Sequence, residues 1–184
     1  MRNRRRVAVG RGTLLDLVII WLFALSLTAP VALAADHAEI DLGRLAPDFS
    51  FVDIDGAEGA LSDYRGKVVL LEFWGSWCGP CRADTPKLVE IYDSFNPLGF
   101  EIVAIDRGET RETVNRYNAK NGVTWRQVLQ AEDGPILEQY GVRTYPTYFL
   151  IDRDGKIVEE LRLWKLPSLL NELFDLPDES SSAR

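Results

Sequence analysis

The sequence is poor in sulfur and imidazole: its 184 residues include two cysteines, one methionine and one histidine. A structural zinc site takes four nitrogen or sulfur ligands. Cys78, Cys81 and His37 fall short of that, and His37 lies beside an apolar N-terminal stretch, so no metal centre is expected. A lysine- or arginine-rich stripe with interleaved aromatics is also missing. Residues 1–34 carry five arginines and one aspartate, a balance of +4, which leaves −11 on residues 35–184. An acidic body of that kind argues against nucleic acid, whose phosphates need a basic surface. No internal repeat and no linker divides the chain. At 46 % apolar residues it has the composition of one folded domain.

The N-terminus reads as an address. A cationic "MRNRRRVAVGRG" precedes "LVIIWLFALSLTAPVALA", which ends in Ala32-Leu33-Ala34, an A-x-A cleavage pattern. Residues 1–34 are therefore an export signal or, uncut, a single membrane anchor, since Leu17 to Ala34 is just long enough to span. Either way the arginines stay inside and the body lies beyond the cytoplasmic membrane, periplasmic or anchored on its outer face. The lack of a cysteine near the cut excludes a lipoprotein anchor. Arg4-Arg5-Arg6 hints at twin-arginine export, but the rest of that signal is missing.

Residues 35–43 are a leader, 44–176 the domain and 177–184 a flexible tail. "FSFVDID" and "GALSDYRG", flanking Gly56, have the pattern of a short β-hairpin. Val68 to Trp74 is a near-continuous apolar run, as in a buried parallel strand. A helix is predicted from about Pro80 to Phe95, then a second buried strand, "FEIVAID", and a helix ending at Gly122. "TWRQVLQ" and "GPILEQYGV" read as a short strand and a short helix. "TYFLID" and "KIVEELRL" pair antiparallel around "DRDG", and "LPSLLNELF" closes the domain as a helix. This order gives an α/β fold with a central mixed sheet flanked by helices.

Cys78-Gly79-Pro80-Cys81 joins the first buried strand to its helix. At the helix tip, free backbone N–H groups and the helix dipole stabilise an anion, so Cys78 gains thiolate character. Cys81 falls on the stripe Cys81, Thr85, Leu88, Tyr92, Phe95, which should face the sheet. One thiol attacks and the other resolves. A static disulfide would close too small a loop to stabilise much.

Trp74-Gly-Ser-Trp77-Cys78-Gly79-Pro80-Cys81, with Gly-Val-Arg-Thr-Tyr145-Pro146-Thr before "YFLID", resembles the thioredoxin superfamily. The preceding hairpin, the insertion around residues 108–140 and the export segment look most like its TlpA/ResA-type members. The resemblance implies a redox-active Cys78–Cys81 disulfide and a cis Tyr145–Pro146 peptide bond. The main chain of Tyr145 would pair with a substrate strand, as in β-augmentation, in a groove that includes Trp77, Gly79 and Pro80. No bound cofactor is implied. A peroxiredoxin is disfavoured because no PxxxTxxC arrangement occurs.

Glu72, inside the apolar run VVLLEFW, stands where thioredoxins keep a buried acid. Burial would raise its pKa and suit it to take the proton of Cys81. Alternatively its carboxylate turns to the sheet edge or pairs with Lys67. Asp84 is either a thiol-tuning acid, as a glutamate is in ResA-type relatives, or a solvated first-turn acid. Relatives place a glycine after the last strand, where "RLWKLP" has none and Trp164 or Lys165 stands nearby, so a narrower or more aromatic groove is expected. The cytochrome-maturation subgroup shows a glutamate beside the cis-proline, which Thr144-Tyr145-Pro146-Thr147 lacks. The expected activity is reduction of disulfides in exported proteins, with electrons from a membrane thiol carrier and cytochrome c maturation as one outlet. Gly-Pro between the cysteines matches thioredoxin, at about −270 mV against about −120 mV for DsbA. An oxidase or isomerase, and a binding module without turnover, are the alternatives.

Overall fold

The computed structural model describes residues 42–130 and 134–177. The export segment, His37, nearly all of the leader and the tail from residue 178 lie outside the described residues.

Five strands form the central sheet: β3 (Val68–Trp74), β4 (Phe100–Arg107), β5 (Arg126–Gln130), β6 (Thr147–Ile151) and β7 (Ile157–Leu161). Their order is β5-β4-β3-β6-β7. β4 runs parallel to β3 and β5, whereas β6 is antiparallel to both β3 and β7, which makes the sheet mixed. Every residue of β3 is buried, as its near-continuous apolar run requires of a strand covered on both faces. Val68, Leu70 and Trp74 pack on one face with Cys81, Leu88 and Leu170. Val69, Leu71 and Phe73 pack on the other with Phe49, Leu137 and Phe149. Each such side chain contributes about 1.5–3 kcal/mol by leaving water.

Helix α1 (Gly79–Phe95) follows β3, with Pro80 in its first turn, where a missing N–H is harmless. It ends in a 3-10 turn over Asn96–Leu98, and Gly99, at φ 101°, turns the chain into β4. The predicted stripe holds at Cys81, Thr85 and Leu88, while Ile91 is more deeply buried than Tyr92 or Phe95. Helix α2 (Arg111–Asn121) is capped by Thr110 and closed by Gly122. With β5 and the short α3 (Pro135–Gln139) it makes up the predicted insertion, so the insertion supplies one edge of the sheet. Helix α4 (Leu166–Leu173) packs Leu166 and Leu170 under β7 and α1.

The hairpin is shorter than its sequence suggests. β1 (Ser50–Val52) pairs with β2 (Glu58–Ala60), but Leu61–Tyr64 turns into a 3-10 helix that buries Leu61. The Asp63 carboxylate accepts the Ala60 N–H at 2.7 Å, which closes that turn. Asp53 builds the hairpin turn by accepting from the N–H of Asp55 and Ala57. It also pairs with Arg126 of β5 at 2.5 Å, and Ile54 N–H donates to the Gln127 carbonyl at 3.0 Å. The hairpin thereby covers part of the outer edge of β5, an edge otherwise open to unwanted pairing.

Candidate active site

Both sulfurs sit where β3 hands over to α1, joined in a Cys78–Cys81 disulfide with a Cα separation of 5.3 Å. Cys78 is the N-cap of α1, and its Sγ accepts the Cys81 N–H at 3.2 Å. A side chain at this position takes one of the unpaired amide donors at the helix start. The same donors and the helix dipole would stabilise a thiolate there once the bond is reduced. Cys81 is fully buried and Cys78 retains 5 % exposure, so the outer sulfur is more covered than its place at a helix tip suggests.

The Tyr145–Pro146 peptide bond is cis, as the resemblance implied. Tyr145 packs edge-on against Trp77 at 5.4 Å, and the Arg107 guanidinium lies 5.5 Å from its ring centre. Trp77 is half exposed and donates its indole N–H to the Arg107 carbonyl at 3.2 Å. Gly79 and Pro80 are exposed beside it. Trp74, by contrast, is core: it is 2 % exposed and bonds Gln127 through its indole N–H. Trp164 stands 77 % exposed after β7, and Lys165 beside it pairs with Glu159.

Glu72 is buried on the Trp74 face of β3, opposite Ala104 and Tyr148. Desolvation pushes its carboxyl up to about 8, and the Asp84 charge adds to the rise. The Trp125 indole N–H faces it and works the other way, although no well-formed hydrogen bond joins them. Pairing with Lys67 is overturned, because Lys67 bonds Glu101 at 2.8 Å. The sheet-edge alternative is overturned too, since β3 is the central strand. Glu72 and Thr85 line one small void, and Thr85 donates to the Cys81 carbonyl or shares its hydroxyl with Tyr117. The acid therefore lies beside Thr85, one helical turn beyond Cys81, on the sheet face that α1 covers. Asp84 is half-buried and accepts the Tyr148 hydroxyl at 3.1 Å, so it is not simply a solvated acid.

Two further acids escaped the sequence reading. Glu109 accepts both the backbone N–H and the hydroxyl of Ser76, two residues before Cys78. Asp106, at the end of β4, accepts the Glu109 N–H at 3.1 Å. It is wholly buried, and desolvation together with Glu109 raises its pKa. Arg82 donates to the Ser76 carbonyl from α1. The signal was available in "AIDRGET": two acids where a parallel strand ends, the end of an α/β sheet where sites gather.

A polar groove between the hairpin and β5, lined by Asp53, Tyr64, Lys67, Glu101 and Arg126, contains neither thiol. It lies towards the N-terminal ends of β3 and β4, away from the cysteines. Among the described residues no group of three or more His, Cys, Asp or Glu could hold a metal, and no helix is long and apolar enough to cross a membrane.

Residues 42–160 match the AhpC/TSA family model. Thiol-disulfide oxidoreductase ResA of Bacillus subtilis (strain 168) is 36 % identical over 183 residues, covering 98 % of this chain and 99 % of its own. ResA of Geobacillus thermodenitrificans (strain NG80-2) is 38 % identical over 141 residues, 77 % of this chain and 80 % of the relative. The solution structure of a thiol:disulfide interchange protein from Bacteroides sp. superposes with a TM-score of 0.67 at 31 % identity. It covers 77 % of this chain and 95 % of that one. With the two sulfurs at a helix start and the cis-proline beside them, the chain belongs to the AhpC/TSA family of the thioredoxin superfamily, as a ResA-like thiol-disulfide oxidoreductase.

Proposed function

We propose that this enzyme works beyond the cytoplasmic membrane as a reductase of disulfides in exported proteins. The observation that carries the reading is the Cys78 sulfur, held at the start of α1 by the Cys81 N–H and backed by a fully buried Cys81. In the reduced enzyme the Cys78 thiolate attacks one sulfur of the substrate disulfide. A mixed disulfide forms, and the other substrate sulfur leaves as a thiolate that takes a proton from water.

Cys81 then loses its proton, with Glu72, buried on the same face of the sheet, as the acceptor. Its thiolate attacks the Cys78 sulfur and releases the second substrate thiol, leaving the Cys78–Cys81 disulfide. The substrate has gained two electrons and two protons. A membrane dithiol carrier then reduces the Cys78–Cys81 disulfide with two electrons and two protons of its own and leaves as a disulfide. A carboxyl near 8 suits the exchange, because its affinity for a proton is close to that of a thiol. Asp84, held by Tyr148, adds negative charge near Glu72 and so tunes the pair. Tyr145 and Pro146 offer main chain to an extended substrate, and Trp77, Gly79 and Pro80 form the adjoining wall. Apocytochrome c is one substrate that this chemistry would serve.

Trapping tests the reading. Cys81→Ser should accumulate mixed disulfides with exported proteins, and Cys78→Ser should capture almost none. Wild type should turn over insulin disulfides with a dithiol donor, whereas a binding module would show no turnover. A reduction potential above about −180 mV would instead indicate an oxidase or isomerase.

A further inference from the structure

Buried polar atoms of a folded protein nearly always find a partner, and one that does not calls for a reason. Among the described residues two buried side-chain donors have no acceptor in the protein, the Trp125 indole N–H and the Gln127 amide nitrogen. Trp125 is 5 % exposed and Gln127 2 %. Both belong to the insertion, and both line the small void that Glu72 lines from β3.

Strand register brings them together. Glu72 lies opposite Ala104 of β4, and Ala104 opposite Gln127 of β5. Side chains in one such row project from the same face of the sheet, and the short Ala104 fills little of the space between its neighbours. The Trp74 indole, two residues along β3 on that same face, donates to Gln127 Oε1 at 3.0 Å. That bond settles which way the amide turns and leaves Nε2 as the spare donor. Trp125, just before β5, presents its N–H to Glu72.

We propose that Trp125 and Gln127 are positioning residues for Glu72, two donors kept free to hold its carboxylate in the ionised form that accepts the Cys81 proton. The inference rests on the reductase reading and on Glu72 as the acceptor within it. Burial alone favours the neutral acid, which cannot take a proton, and donors aimed at the charged form oppose that. The other polar groups on this face are spoken for. Asp84 of α1 adds negative charge and takes the Tyr148 hydroxyl of β6, while Tyr117 of α2 shares its hydroxyl with Thr85. Cys81 of α1 is the source of the proton. The donors left for Glu72 therefore come from the insertion.

Reduced full-length enzyme mixed with one equivalent of bis(thionitrobenzoate) disulfide provides the test. Attack by Cys78 releases one thionitrobenzoate and leaves the mixed disulfide; attack by Cys81 on the Cys78 sulfur releases the second. Stopped-flow absorbance between about pH 5 and 9 reads both phases. Trp125→Phe keeps the ring and loses the N–H. It should leave the first phase alone and slow the second about three- to tenfold at pH 7, with the midpoint of the profile moved up by about half to one unit. Gln127→Met, which removes the other donor, should shift the profile in the same direction. Neither substitution should slow the second phase further in a Glu72→Gln background. Unshifted profiles in both variants, or a slowing that persists without Glu72 as a merely structural role would give, would overturn the proposal and leave Glu72 its part. A second phase at the wild-type rate in Glu72→Gln alone would overturn the acceptor and the proposal together. No thionitrobenzoate release from wild type would overturn the reductase reading itself.

Discussion

Ser76 gives both its backbone N–H and its hydroxyl to the carboxylate of Glu109, each at 2.5 Å. The loop that presents Cys78 is thereby tied to the end of β4 rather than held by its own chain alone. Hydrogen bonds to a charged acceptor contribute about 1.5–3 kcal/mol each. Glu109→Ala should lower the unfolding free energy by about 1–3 kcal/mol and kcat/KM by about tenfold. Glu109→Gln, which keeps one oxygen acceptor, should recover part of both. Unfolding curves and insulin turnover measure the pair of effects.

Glu72→Gln should leave the fold intact and slow the second step, in which Cys81 resolves the mixed disulfide. The first step, attack by Cys78, should keep its rate. Stopped-flow measurement of both phases between pH 5 and 9 separates them, and equal resolution rates in wild type and variant across that range would remove Glu72 from the reaction.

Stability should fall as pH rises, with a sign set by the buried acids. Burial raises Glu72 from its ordinary 4.5 to about 8, and Asp106 is raised by desolvation and by Glu109. An acid raised on folding holds its proton more tightly in the folded protein. Its contribution is complete below the unfolded value and is lost as pH climbs through the folded one. For Glu72 the window is therefore about 4.5 to 8. Thermal midpoints should decline across it, and Glu72→Gln should decline less.

Gly75 lies under the Trp77 indole so closely that a Cβ there would come within 2.4 Å of its Nε1. Gly75→Ala should swing the half-exposed ring off the Arg107 carbonyl. Stability should change by less than about 1 kcal/mol, since the ring has room to move. Activity on protein disulfides should fall several-fold, with a change in tryptophan fluorescence that reports the displaced ring.

The strands and helices were largely legible because each carries a local pattern. β3 is an apolar run broken only by Glu72, α1 carries Pro80 in its first turn, and the Gly122 and Gly155 turns sit where the periodicity changes. Leu61–Tyr64 was misread, because its alternation suits a strand and only the Asp63 carboxylate bonded to Ala60 N–H selects the tighter turn. The two cysteines and Pro146 were legible from spacing and resemblance. Glu72 stood out by chemical contrast with its neighbours. The Lys67 alternative failed on register: Lys67 precedes β3 and meets Glu101 across the β3–β4 pair, five residues from Glu72. Ser76 and Glu109 are 33 residues apart, and nothing in the local sequence of either names the other. Contacts made only by the parallel pairing of β3 and β4 were the part that sequence could not supply.

Alkylation of the fully reduced protein with iodoacetamide, followed residue by residue by mass spectrometry between pH 4 and 10, probes the chemistry at its source. Cys78 should react first, with a half-maximal rate clearly below the ordinary thiol value of about 8.5, while Cys81 lags at every pH. Preferential modification of Cys81, or a Cys78 that ionises at 8.5 or above, would contradict the assignment of attacking and resolving sulfur.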